Sequence, residues 1–302
     1  DTLVDFAYGY HTGILENYDR RILKEAAKSL YNIKEFKDVK FVYVDNDSEL
    51  LDCEIKAQEK YLKRGEFGEL ILHLLLRDFF QTAPLVSKLY FKDTDGGVVH
   101  GFDIVHIGTD INDSTKNSIF LGESKLYSRK DNKAGKHGVE DLVKDIEAHF
   151  KKDFLKREIA LIGKKKHSFA PINEQMSELI KKEYKQFLEY KDEWFDILSK
   201  VERGESKLQD FLESVTIPLV CTYQSELFTS YTDETNPKFI AEYEREIEEL
   251  KKHFDKKLNE LTKTVGEPIS TKLNIVLLLL PIPSKKQLVK LLHQKLYNQQ
   301  NA

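Results

Sequence analysis

The stretch Gly101-Phe102-Asp103-Ile104-Val105-His106, followed about twenty residues later by Gly122-Glu123-Ser124-Lys125, decides how this 302-residue chain is read. Both segments read as strands, and strand side chains alternate faces with a period of two. Glu123 and Lys125 therefore project on the same side, ~7 Å apart. If the two strands pair, Asp103 joins them.

Two carboxylates converging on one spot repel and stay ionised at neutral pH only with a cation between them. Mg²⁺, or Mn²⁺ in its place, is the natural occupant, being a hard ion that takes oxygen ligands and keeps several waters. The Ser124 backbone carbonyl is a further candidate ligand. A metal so held can orient a water, lower its pKa and stabilise charge on a phosphodiester under attack. Lys125 can position that water or offset the developing charge.

An independent feature lies upstream. Between residues 65 and 80, Phe67, Leu70, Ile71, Leu72, Leu74, Leu75, Leu76 and Phe79 cover nearly the whole circumference of a helix, which predicts burial all round. The polar exceptions Glu66, Glu69, His73 and Arg77 fall three and four apart, on one stripe. That stripe must face a polar cavity, a metal site or matching charges, because lone buried charges are costly.

The coarse order predicted around these motifs is a helix over 62–80, strands over 87–92, 101–107 and 118–127, and a helix over 139–157. Four stretches follow: an N-terminal α/β segment (1–60, with a helix over 20–31 and a strand over 40–44), a core (61–165), a helical insertion (166–212) anchored by Trp194 and Phe195, and a β-α-β-α segment (213–302). In the last, strands over 215–223 and 273–280 flank a helix over 237–262, a spacing that suits a parallel crossover extending the same sheet. Within that helix Ile240, Tyr243, Ile247, Leu250, Phe254, Leu258 and Leu261 form one apolar stripe, expected to pack on its own sheet. The predicted fold class is α/β, a mixed central sheet flanked by helices.

Composition narrows the function classes. With 40% hydrophobic and 32% charged residues the chain is an ordinary folded protein. Cys53 and Cys221 form no CxxC spacing, so neither a disulfide framework nor a zinc knuckle is indicated. The most apolar run, 275–280, stops at Pro281 and reads as a buried strand, not a membrane span. No charged head with an apolar stretch opens the chain, and the expectation is a cytoplasmic protein without membrane contact. GxxxxGK[ST], GxSxG, HExxH and GxGxxG motifs are absent, which argues against ATP hydrolysis, a nucleophile elbow, a zincin or a dinucleotide site. Ser124 and Lys125 face opposite ways on a strand, which disfavours a Ser/Lys nucleophilic pair.

The net charge of −4 hides a local bias: residues 125–166 carry 13 Lys or Arg against 7 Asp or Glu. A nucleic acid would be held by one face only. Arg129, Lys130, Lys133, Lys136 and His137, in a loop predicted over 128–137, are the candidate phosphate contacts, with Lys164, Lys165 and Lys166 as a continuation and His73 as an addition from the helix. A solvated lysine-rich face explains the same bias equally well. His100 and His106 sit at odd spacing from Asp103 and read as structural.

A helix donating a Glu to a site built by two following strands resembles the PD-(D/E)xK nuclease core. The resemblance implies Asp103 and Glu123 as strand carboxylates, Lys125 as the motif lysine and Glu69, or Glu66, as the helix acid. Phe102 stands where that superfamily often has proline. Arg64-Gly65-Glu66-Phe67-Gly68-Glu69, His100-Gly101-Phe102-Asp103 and Gly122-Glu123-Ser124-Lys125-Leu126-Tyr127 together resemble the HamA family, effectors of the Hachiman antiphage system. That resemblance implies a metal-dependent endodeoxyribonuclease of little sequence specificity, restrained in a complex with a HamB-like helicase subunit. The ExK triplet by itself is a weak signal, since a surface Glu and Lys two apart on a strand are common. Two other readings remain: a catalytically idle PD-(D/E)xK-like module that binds a partner protein or nucleic acid, and a structural protein docking through its long C-terminal helix.

Overall fold

The strand Val215–Gln224 is buried at nine consecutive positions before an exposed Gln224, as expected of a strand covered on both faces. It is the fourth of five strands in a computed structural model that describes residues 2–8, 20–31, 65–86, 101–128, 133–149, 152–163, 178–264 and 273–301. The expected strands over 40–44 and 87–92, and His100, Arg129, Lys130, Cys53 and Lys164 to Lys166, lie outside the described residues.

The described elements are α1 (Thr2–Tyr8), α2 (Arg20–Leu30), α3 (Glu66–Phe80), β1 (Ala83–Pro84), β2 (Ile104–Thr109), β3 (Asn117–Tyr127), α4 (Ala134–His149), α5 (Lys152–Gly163), α6 (Glu178–Glu202), α7 (Leu208–Leu212), β4 (Val215–Gln224), α8 (Leu227–Ser230), α9 (Pro237–Thr264), β5 (Asn274–Ile282) and α10 (Lys285–Asn301). The sheet order follows the chain, with β1, β2 and β3 antiparallel and β3, β4 and β5 parallel. The fold is thus a mixed α/β sheet flanked by helices, compatible with a PD-(D/E)xK-like core. β4 and β5 pair onto β3, so one sheet spans both halves of the chain.

Alternation along the strands separates two cores. Val105, Ile107, Ile119, Leu121, Leu219 and Cys221 face a cluster that contains α4, α5, α6 and α9 residues. Ile104, Phe120, Leu126 and Val220 face the other, built with α2, α3 and α10. His293 of α10 meets the Tyr31 hydroxyl at 2.5 Å, and Gln300 donates to the Ala27 and Tyr31 carbonyls, which ties the last helix to α2.

Several expectations need correction. The helix predicted over 139–157 is two helices, α4 and α5, because Leu155, Ile159 and Ile162 bury against Trp194, Phe195 and Leu198 of the insertion instead of continuing along the sheet. α4 also starts earlier than predicted. Two glycines of α4 are packing devices: a Cβ on Gly138 would lie 2.4 Å from Cys221 Sγ, and one on Gly135 would lie 2.8 Å from Leu250. Only a bare backbone lets α4 sit this close to β4.

α9 packs chiefly on α4, through Leu250 and Phe254, and leaves Ile240 exposed. α3 is not buried all round either, for Leu74 and Phe79 are exposed while Phe67, Leu72, His73 and Leu76 face inward. It lies as an outer layer over one sheet face. β5 is half-buried along its length because, among the described strands, it is the last in the sheet. No described helix is long and apolar enough to cross a membrane.

Candidate active site

Ile104 pairs with Gly122 in the β2–β3 ladder, and one position further on Asp103 stands opposite Glu123. The Asp103 N–H donates to the Gly122 carbonyl at 3.0 Å, extending the ladder to the aspartate. Its carboxylate accepts from the Ser124 N–H and the Ser124 hydroxyl, both at 2.8 Å through Oδ2. Asp103 and Glu123 thus occupy one end of the same strand pair. Gly122 keeps that pair flat against its neighbours, since a Cβ there would meet Ile104 and Leu72, both at 2.9 Å.

Glu123 is 4% exposed and Lys125, two residues on, shares its face. Both look toward α4, which supplies two side chains one helical turn apart, Asp145 and His149. Lys125 Nζ stands 2.5 Å from Asp145 Oδ2, and His149 Nδ1 stands 2.8 Å from Glu123 Oε1. Although these separations are short, Glu123 Oε1 and Asp145 Oδ2 meet no hydrogen-bond partner at proper angles among the described residues. The His149 ring also packs edge-on against Phe102, with centroids 5.5 Å apart. A fourth acid is close by: Glu158 of α5 is 1% exposed, and a Cβ on Gly101 would fall 2.0 Å from its Oε2.

The electrostatics follow from this crowding. Burial, then the charges of Asp103 and Asp145, push the Glu123 carboxyl well above its ordinary range, with Lys125 opposing. For Lys125, burial works against the ammonium, but the contact with Asp145 and the charges of Asp145, Glu123 and Asp103 outweigh it and raise its pKa. Burial lowers that of His149, which disfavours an imidazolium beside Glu123.

Such a donor set suits a hard divalent cation. Asp103, Glu123 and Asp145 are opposed by one ammonium, and two buried carboxylate oxygens point at no proper donor. Among the described residues no three His, Cys, Asp or Glu side chains already stand as a ligand cluster, and Lys125 and His149 lie against the carboxylates.

Glu66 and Glu69 lie on the first turn of α3. Between them Gly68 abuts Ser124, whose Oγ would be 3.0 Å from a Cβ at 68, so this turn meets β3 on the face opposite Lys125. The acid that the structure brings to Lys125 is Asp145, which the sequence reading did not include. Its DxxxH spacing with His149 was visible, but on an amphipathic helix that pattern does not differ from a solvated face.

His73, expected among the phosphate contacts, is corrected: it is fully buried, with Nδ1 3.1 Å from His106 Nε2. His106 Nδ1 in turn meets the Thr82 hydroxyl at 2.8 Å. Burial lowers His73 to about 3 and His106 well below its usual value, so both are neutral, structural groups. The matching charge on the α3 stripe is Asp5, 3.0 Å from Arg77. Lys133 and Lys136 are exposed, and Lys136 and His137 belong to the first turn of α4, not to a loop. Helical rise sets Lys136 ~14 Å from Asp145 along the helix axis.

The HamA family model matches residues 1–296 of the chain. No curated protein and no solved structure matches it.

Proposed function

The chain belongs to the HamA family, which implies a role in Hachiman antiphage defence, and from that premise we propose that it is a metal-dependent DNA nuclease working with a helicase partner. The observation that supports the reading is the register that sets Asp103 opposite Glu123, with Lys125 two residues on and one buried Glu123 oxygen without a properly angled donor.

A bound Mg²⁺ or Mn²⁺ would supply a polarised water and stabilise charge on the phosphodiester. Asp103 and Glu123 would hold it, with the Ser124 carbonyl as a further ligand. Ser124 holds Asp103 in place through two hydrogen bonds, which fixes one ligand before any ion arrives. Lys125 would offer its ammonium to the negative charge that develops on the phosphate. Lys133 and Lys136 are exposed and are the candidate contacts for phosphates beyond the one cut.

The test is degradation of plasmid and linear DNA by the full chain with Mg²⁺, Mn²⁺ or EDTA, with and without the helicase subunit. Metal-dependent cleavage lost in folded Glu123→Ala and Lys125→Ala proteins supports the proposal. Binding and defence retained in both variants, with no cleavage by the wild type, would instead favour the idle binding module, a reading that the pairing of Lys125 with Asp145 keeps open.

A further inference from the structure

Resting on that reading of the site, we infer that Asp145 is a positioning residue which holds the Lys125 ammonium off Glu123 and so keeps the Glu123 carboxylate open to a divalent cation. Lys125 and Glu123 are two apart on one strand face, close enough for the lysine's long stem to fold back onto the carboxylate. It does not do so. Lys125 Nζ is instead 2.5 Å from Asp145 Oδ2, while Glu123 Oε1, buried with the rest of its side chain, meets no properly angled donor.

A lysine folded onto Glu123 would satisfy that oxygen and compete with any metal for it. Asp145 prevents this from across the gap between β3 and α4, with a charge equal to that of Glu123. The position is fixed by the backbone around it. α4 lies against β4 at bare glycines, Gly135 and Gly138, which sets the helix at the height where Asp145 reaches Lys125, and His149 anchors the next turn at Glu123. In this arrangement Lys125 is stored beside the metal site. It stays available for the phosphate, where a lysine spent on Glu123 would not be.

Competition gives the inference a signature that no simple structural role reproduces. Mn²⁺ affinity is measured calorimetrically on metal-stripped full-length protein, with thermal melts confirming that each variant is folded. Asp145→Asn should weaken Mn²⁺ binding at least ~10-fold, the usual scale for loss of a group supporting a metal ligand. Lys125→Met, which removes the competitor, should bind Mn²⁺ no more weakly than wild type. The Asp145→Asn, Lys125→Met double variant should recover to within about threefold of Lys125→Met, and Asp145→Glu, which keeps the charge, should stay near wild type.

Unchanged affinity in Asp145→Asn overturns the inference. So does a double variant as weak as Asp145→Asn, because Asp145 would then be a ligand itself, and so does a wild type that binds no Mn²⁺. DNA cleavage is scored on the same samples. A wild type with the predicted affinity pattern but no cleavage sinks the nuclease reading while leaving the role of Asp145 standing.

Discussion

His149 Nδ1 stands 2.8 Å from Glu123 Oε1, joining the last turn of α4 to the middle of β3. The contact sets an imidazole against a buried carboxyl that burial and two neighbouring acids push well above its ordinary pKa. Function and stability therefore pull Glu123 in opposite directions, and the conflict can be measured.

A carboxyl whose folded pKa is raised contributes its stability fully below the unfolded value, roughly 4.3, and loses it as pH rises through the folded one. Ionised Glu123 thus destabilises the metal-free protein at alkaline pH. Glu123→Gln, which keeps the neutral shape, should melt ~2–4 °C above wild type at pH 8 with EDTA, the shift expected for about 1 kcal/mol in a chain of this order of size. The gap should close near pH 4. Calorimetric melts at both pH values decide it, and a variant no more stable than wild type at pH 8 would refute the electrostatic account.

The approach of α4 to β4 predicts a steric penalty at Gly138. Alanine there places a Cβ 2.4 Å from Cys221 Sγ, and the overpacking should destabilise by about 1–3 kcal/mol. Adding Cys221→Ala should recover part of the loss. Urea denaturation of the two single variants and the double variant gives the coupling, and strictly additive effects would mean that the contact is not the cause.

Cys221 should be inert as well as close. Burial pushes its thiol up to about 12, and its side chain is fully covered. In a Cys53→Ser background, alkylation of Cys221 by iodoacetamide at pH 8 should run at least ~100-fold slower than that of a free cysteine, since only the thiolate reacts. Mass spectrometry follows the reaction, and labelling at the free rate would show that α4 leaves β4 readily.

Arg77 bridges α3 to α1 through Asp5, whose side chain is 7% exposed. Removing the guanidinium takes a charged hydrogen bond from that buried acid, so Arg77→Ala should cost about 2–3 kcal/mol. Arg77→Ala with Asp5→Asn should be less destabilised than Arg77→Ala alone in the same denaturation assay. A double variant at least as unstable would show that packing, not charge, sets the loss.

The parts of the fold legible in the sequence are those fixed by local period and composition. Strands β3, β4 and β5 come from apolar runs with sharp ends, while the pairing of the Asp103 and Glu123 segments, a condition in the sequence, is supplied by the β2–β3 register. α9 is readable from its apolar stripe. What the sequence hid depends on contacts distant along the chain. Gly135 and Gly138 carry the same letters whether they loosen a loop or let a helix touch a sheet. Asp145 and His149 become site residues only because that close packing brings α4 over β3. His73 and His106, 33 residues apart, satisfy each other in the core, which no spacing rule on one helix could anticipate. The side of β3 met by the first turn of α3, at Gly68, was equally invisible, since it depends on how α3 is laid over the sheet.

The most direct measurement is an anomalous diffraction map from a crystal of the full chain soaked in Mn²⁺. The account predicts one strong peak beside Glu123 and Asp103, with Lys125 still directed toward Asp145. A fully soaked crystal with no peak there, or with manganese bound only elsewhere, would contradict it.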